Sequence, residues 1–149
     1  MSGERRVSVS RTIRASPAAI FDVLADPAGH AIIDGSGQVS GARPGQPGRL
    51  ALGSTFRMDM KQGLPYRITN TVVEFEPDRR IAWRHFGGHV WRYELEAVPE
   101  GTKVTETFDW STSRTKKFIE VMGYPAKHTK NMSRTLERLD DHLTAERAG

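Results

Sequence analysis

The last stretch, from Ser113 to Arg147, constrains the fold most. Phe118, Met122, Pro125, Thr129, Met132, Leu136, Leu139 and Leu143 recur at alternating steps of four and three. That spacing lays them along one helix face, with Lys127, Lys130, Arg134, Glu137, Arg138 and Asp141 largely on the others. Pro125 suits a first helical turn and would break a helix interior. The pattern predicts a short helix near 114–122, a break at Gly123-Tyr124 and a long amphipathic helix from about Pro125 to Glu146. Such a helix needs an apolar surface to lie on, and the preceding residues read as a sheet that supplies it.

Residues 5–14 alternate, with Val7, Val9 and Ile13 on one face of a strand. Ser16-Pro17 then caps a helix over Pro17–Ala25 that buries Ile20, Phe21 and Leu24. A second short helix or turn is expected over Ala28–Asp34. Six glycines and two prolines fall between Gly35 and Gly53. This stretch reads as a short strand near Gln38–Ala42 followed by a loop, either a plain surface loop or a flap over a pocket mouth.

Five strands are expected next, at Ser54–Lys61, Tyr66–Glu76, Arg80–Phe86, His89–Val98 and Thr102–Trp110. Turn lengths set a trial register. It pairs Met58 with Thr69, Val73 with Trp83, Trp83 with Trp91, Leu95 with Glu106 and Tyr93 with Phe108. Phe56, Met58, Met60, Val73, Phe75, Ile81, Trp83, Trp91, Tyr93, Leu95, Val104, Phe108 and Trp110 then share one face. Arg57, Asp59, Glu74, Arg84, Arg92, Glu94, Glu96, Lys103 and Asp109 share the other, as in an antiparallel sheet with one wet face. Ile68 and Val72 fall on that wet face in this register, a faint sign of a dimer contact; monomer and homodimer are both left open.

The order of strand, two short helices, six strands and a long terminal helix resembles the helix-grip superfamily of START-like lipid carriers and polyketide cyclases. VSVSRTIRASPAAIFDVLAD is similar to that family's opening, and VVEFEPDRRIAWRH and GTKVTETFDWS to its central and final strands. The resemblance covers the whole chain. It implies an α+β fold in which a curved antiparallel sheet wraps the terminal helix around an internal cavity for an apolar ligand.

The residues point the same way. Aromatic and Met side chains on the inward face suit an adaptable apolar pocket, although an ordinary packed core has the same composition. The expected ligand-binding residues are Arg11, Phe56, Met58, Trp83, His85, Trp91, Tyr93, Glu106, Phe108, Met122 and Met132. Among them, Arg11 and Glu106 are charges at inward positions and must be paired or useful. Placing Val9 beside Phe108 sets Arg11 beside Glu106, so an ion pair or shared polar patch is expected. Arg67 reads as a rim residue. His85 and His89 face each other across a loop without a third metal ligand, and neither a metal nor a cofactor is expected. Glu106, Tyr93 or His85 could serve as acid or base in a cyclisation or dehydration. His30 and His128 have no informative context and read as solvated or hydrogen-bonded rings.

Three function classes remain: a binder of a polyketide- or lipid-like metabolite, a cyclase or dehydratase, and an interaction module without a ligand. Composition removes others. The 149 residues include no cysteine, which excludes disulfides and thiolate chemistry. A net charge of +4 is interleaved with acids and lacks a stacking pattern of exposed aromatics, so nucleic acid is not an expected partner. No apolar run is long enough to insert into a membrane, and the polar MSGERRVSVS start does not read as a signal peptide. The length suggests one domain over 1–149, located in the cytoplasm.

Overall fold

The computed structural model describes residues 5–26, 39–42, 50–62, 64–85 and 87–148, with side chains at 39–42, 56–62, 64–68 and 145–148 outside that description. Seven strands form one antiparallel sheet in the order β1-β7-β6-β5-β4-β3-β2. The strands are β1 (Arg6–Ile13), β2 (Val39–Ala42), β3 (Thr55–Gln62), β4 (Leu64–Glu76), β5 (Arg80–His85), β6 (Val90–Val98) and β7 (Gly101–Asp109). The helices are α1 (Pro17–Leu24), α2 (Lys116–Val121) and α3 (Tyr124–Ala148). This is the helix-grip arrangement. The second short helix expected over 28–34 and the 35–53 flap fall largely outside the described residues, as does His30.

Local chemistry explains the first helix. Ser16 Oγ accepts a hydrogen bond from the Ala19 amide at 3.1 Å, and Pro17 occupies the first turn. Ile20, Phe21 and Leu24 are buried beneath it, with Phe21 edge-on to Phe75 at 5.3 Å. The next junction depends on glycine. Gly101 has φ +143° and lies so close to β1 that a Cβ would collide with the Ile13 carbonyl.

The sheet's outer face is held by charge and hydroxyl pairs. Arg92 donates twice to the Glu74 carboxylate, at 2.8 and 2.6 Å, across the small Ala82 of the intervening strand. That hydrogen bonding holds the Glu74 carboxyl below the usual carboxylate range. Ser8–Thr107 and Ser10–Thr105 hydroxyl pairs link β1 to β7.

The inner face differs from the trial register in three places. Tyr93 rather than Leu95 lies opposite Glu106, because the turn after β6 is Pro99-Glu100. The shift is two residues, so every side chain keeps its face. Along β3 and β4 the shift is one residue, pairing Met58 with Ile68. A β-bulge between Val72 and Glu74 restores the alternation. Val72 is therefore buried opposite Trp83, which corrects the wet-face placement of Val72. Asn70 is buried two residues before it.

Against this face lies α3, burying Met132, Thr135, Leu136, Leu139 and Leu143. Phe118 and Met122, expected on the same stripe, are exposed; Ile119 is the buried residue of α2. The break at Met122-Gly123 turns the short helix so that its 118/122 edge no longer continues the buried stripe of α3.

Candidate ligand-binding site

Two apolar clusters lie between sheet and helices. The larger joins α1 to Val72, Ile81, Trp83, Tyr93, Leu95, Val104, Leu136, Leu139 and Leu143. The smaller contains Phe108, Trp110, Ile119 and Met132. Val9 and Trp91 touch both. Glu106 is only 4% exposed and stands on β7 between Val104 of one cluster and Phe108 of the other. An acid at that depth must be compensated by its surroundings.

The β-ladder fixes its neighbours. Glu106 is paired with Tyr93 on one side and Val9 on the other, and Arg11 is paired with Val104. The expected Arg11–Glu106 pair is not formed. Arg11 reaches out from the sheet's edge to Asp140 of α3, with Nε–Oδ2 at 2.8 Å. A separate two-residue shift of β1 along β7, which sets Val9 rather than Arg11 beside Glu106, moves Arg11 past the acid.

Beside Glu106 is a ring cluster that the sequence only half revealed. Phe108 is its hub, 4.7 Å from Trp91, 4.5 Å from His128, 5.3 Å from His89 and 5.5 Å from Trp110 between ring centroids. His128 also meets Trp91 at 5.0 Å and Tyr124 at 5.9 Å. His89 stacks on His85 at 4.3 Å, with the rings 15° from parallel. Stacked faces do not aim their in-plane nitrogens at a common point, as a metal pair would. Among the described residues no three acids or histidines are grouped to hold a metal.

Burial sets the charge state of these imidazoles. Desolvation, with the neighbouring histidines adding to it, pushes His89 down to about 3. Desolvation, then Lys127, lowers His128 to about 4. Desolvation also lowers His85. All three are neutral near pH 7. His85 Nδ1 accepts the Gly87 amide at 2.9 Å, which places that ring's proton on Nε2.

Asn70 is aligned with His85 and with Phe56 by backbone register. Its Oδ1 is buried without a hydrogen-bond partner among the described residues. Such an atom in an apolar wall calls for a ligand group or water.

The structure thus brings together Trp83, His85, Trp91, Tyr93, Glu106, Phe108 and Met132. It leaves Arg11 and Met122 at the surface. The side chains of Phe56, Met58 and Arg67 lie outside the description. Sequence reasoning missed His128 and Asn70. His128 carried a signal, since it precedes Met132 by four residues and follows Tyr124 by four.

Comparison with known proteins agrees with this architecture. Residues 4–144 match the family described as polyketide cyclase / dehydrase and lipid transport. The uncharacterised protein Rv0088 of Mycobacterium tuberculosis strain H37Rv is 39% identical over 153 residues, covering 99% of this chain and 68% of its own. Protein NE0264 from Nitrosomonas europaea superposes with a TM-score of 0.77 at 17% identity, covering all of both chains. The AHSA1-like protein from Aeromonas hydrophila gives 0.71 at 22% identity, covering 95% of this chain and 93% of that one. At these identities the solved structures speak for the fold.

Proposed function

Because the chain belongs to the polyketide cyclase / dehydrase and lipid transport family, we propose that it binds an apolar or aromatic small molecule between sheet and α3. The ligand class is polyketide- or lipid-like, with at least one hydroxyl or carbonyl group. Desolvation against Trp83, Trp91, Tyr93, Phe108 and Met132 supplies affinity. Glu106, the neutral His85 and the Asn70 amide orient the ligand's polar groups. The observation that carries the reading is Asn70 Oδ1, a buried acceptor without a partner among the described residues, on the apolar face that also holds Glu106. By the alternation of the sequence alone, Phe56 and Met58 belong to the proposed set of ligand-binding residues. The setting is cytoplasmic, in keeping with a chain free of cysteine. Among the described residues no helix is long and apolar enough to cross a membrane.

A hydroxylated anthraquinone is a suitable probe, read by quenching of the three tryptophans, all on the inward face by sequence register. Wild-type protein is expected to quench on titration. Glu106→Gln removes the charge but keeps the shape, and is expected to weaken binding roughly tenfold or more, as for a lost hydrogen bond to a charged group. An absence of quenching in wild type would sink the reading. The second reading, a cyclase or dehydratase, is favoured by one feature: neutral imidazoles lie on the same inward wall as a buried acid with Tyr93 opposite it. In that case Glu106→Gln keeps affinity and loses turnover, with Glu106, Tyr93 or His85 moving the proton. A surface-acting interaction module without a ligand predicts neither effect.

A further inference from the structure

The corner between α2 and α3 exposes a set of large apolar side chains. Val121 is 84% exposed, Phe118 56% and Met122 45%. These three are clustered on one short helix and its turn, in contrast to scattered surface apolar residues that need no explanation. Gly123, with φ +73°, makes the turn that presents them.

The charges around this corner are predominantly positive. Residues 113–131 carry Arg114, Lys116, Lys117, Lys127 and Lys130 against the single acid Glu120, a net +4, which equals the formal charge of the entire chain. Glu120 is occupied at its base, accepting from Arg5 Nε at 2.9 Å and Trp110 Nε1 at 2.8 Å. The Lys127 ammonium lies 5.5 Å from the Tyr124 ring centroid. An apolar tip flanked along the chain by cations and an amphipathic tyrosine matches the interface of an anionic lipid bilayer, where apolar side chains enter the acyl boundary and ammonium groups meet headgroups. A second copy of this chain fits less well, because a two-fold contact would set these cations against themselves.

The corner is also continuous with the interior. Phe118 meets Tyr124 at 6.1 Å, Tyr124 meets His128 at 5.9 Å, and His128 meets Trp91 at 5.0 Å. A line of rings runs from the exposed tip to the ring cluster around Phe108.

We propose that the α2–α3 corner docks this protein on anionic lipid surfaces, with Val121, Phe118 and Met122 entering the interface and Lys117, Lys127 and Lys130 meeting the headgroups. Docking needs nothing of the interior, so it can fail while ligand binding stands, and the reverse. Sedimentation of the full chain with phosphatidylcholine vesicles, with and without about 30% phosphatidylglycerol, tests it. Binding is expected to be at least about tenfold tighter on the anionic vesicles and to weaken with salt. Val121→Asp is expected to lower it roughly tenfold, and a Lys117→Glu/Lys127→Glu double variant by at least as much. These positions are exposed, and unchanged circular dichroism would confirm folding. Equal binding to both vesicle types, or indifference to these substitutions, overturns the proposal. So does a dimer in analytical ultracentrifugation that Val121→Asp dissolves, since a second copy would then cover the corner.

Discussion

Lowering the pH from 7 to 5 is expected to remove about 4 kcal/mol of folding stability, about 2 kcal/mol each from His89 and His128. Both rings are held neutral by burial, with folded values near 3 and 4 against 6.5 when unfolded. Below pH 6.5 the unfolded chain takes up protons that the folded chain refuses, so stability falls with pH. For each ring the loss continues until its folded value is reached. The Glu74–Arg92 pair contributes in a lower window. A carboxyl held below its ordinary value stabilises above that value and is lost only as pH falls beneath it. The loss between pH 6.5 and 5 therefore belongs to the imidazoles, His85 adding in the same direction. Against a typical total of about 5–15 kcal/mol, such a loss shifts a urea midpoint strongly. His128→Phe keeps an apolar ring against Trp91 and Phe108 and removes one titrating group. The drop in that variant is expected to shrink to about 2 kcal/mol. Equal drops in wild type and variant would show that His128 is not held neutral in the folded protein.

Replacing Phe108 by Ala is expected to cost about 3–5 kcal/mol, the range for deleting a large buried side chain whose site cannot collapse. Four rings pack on Phe108 from β6, the loop before it, α3 and the end of β7, and none can follow a shrinking neighbour without leaving the others. The comparison that gives the number meaning is Phe118→Ala. That ring is more than half exposed, and its loss is expected to change stability by no more than about 0.5 kcal/mol. Denaturant curves of both variants check the pair. A Phe108→Ala protein as stable as wild type would mean that the ring cluster does not hold the sheet to α3.

These two phenylalanines also show what the sequence could and could not reveal. Alternation along a strand has a period of two, so the inward position of Phe108 survived a two-residue error in register. Trp83, Trp91, Tyr93 and Glu106 were placed on the correct face for the same reason. Arg11 was on the correct strand too, but its predicted partner depended on absolute register, and an independent two-residue shift between β1 and β7 sets it beside Val104. Phe118 was misplaced because helical spacing was carried through the break at Met122-Gly123, where the chain changes direction. The bulge at Val73 carries no composition signal, and it hid the burial of Val72 and Asn70. His128 was legible in principle at four residues from Met132 on the same helix face. A lone histidine is ambiguous until the rings around it are known.

The most direct test of ligand binding between sheet and helix is native mass spectrometry of the freshly purified protein, with extraction of whatever dissociates on denaturation. The expected result is a co-purifying apolar or aromatic molecule bearing a hydroxyl or carbonyl group, or, for protein purified empty, a one-to-one adduct after incubation with a hydroxylated anthraquinone. A bare protein mass before and after that incubation would contradict the account and leave the space between sheet and α3 as packed core.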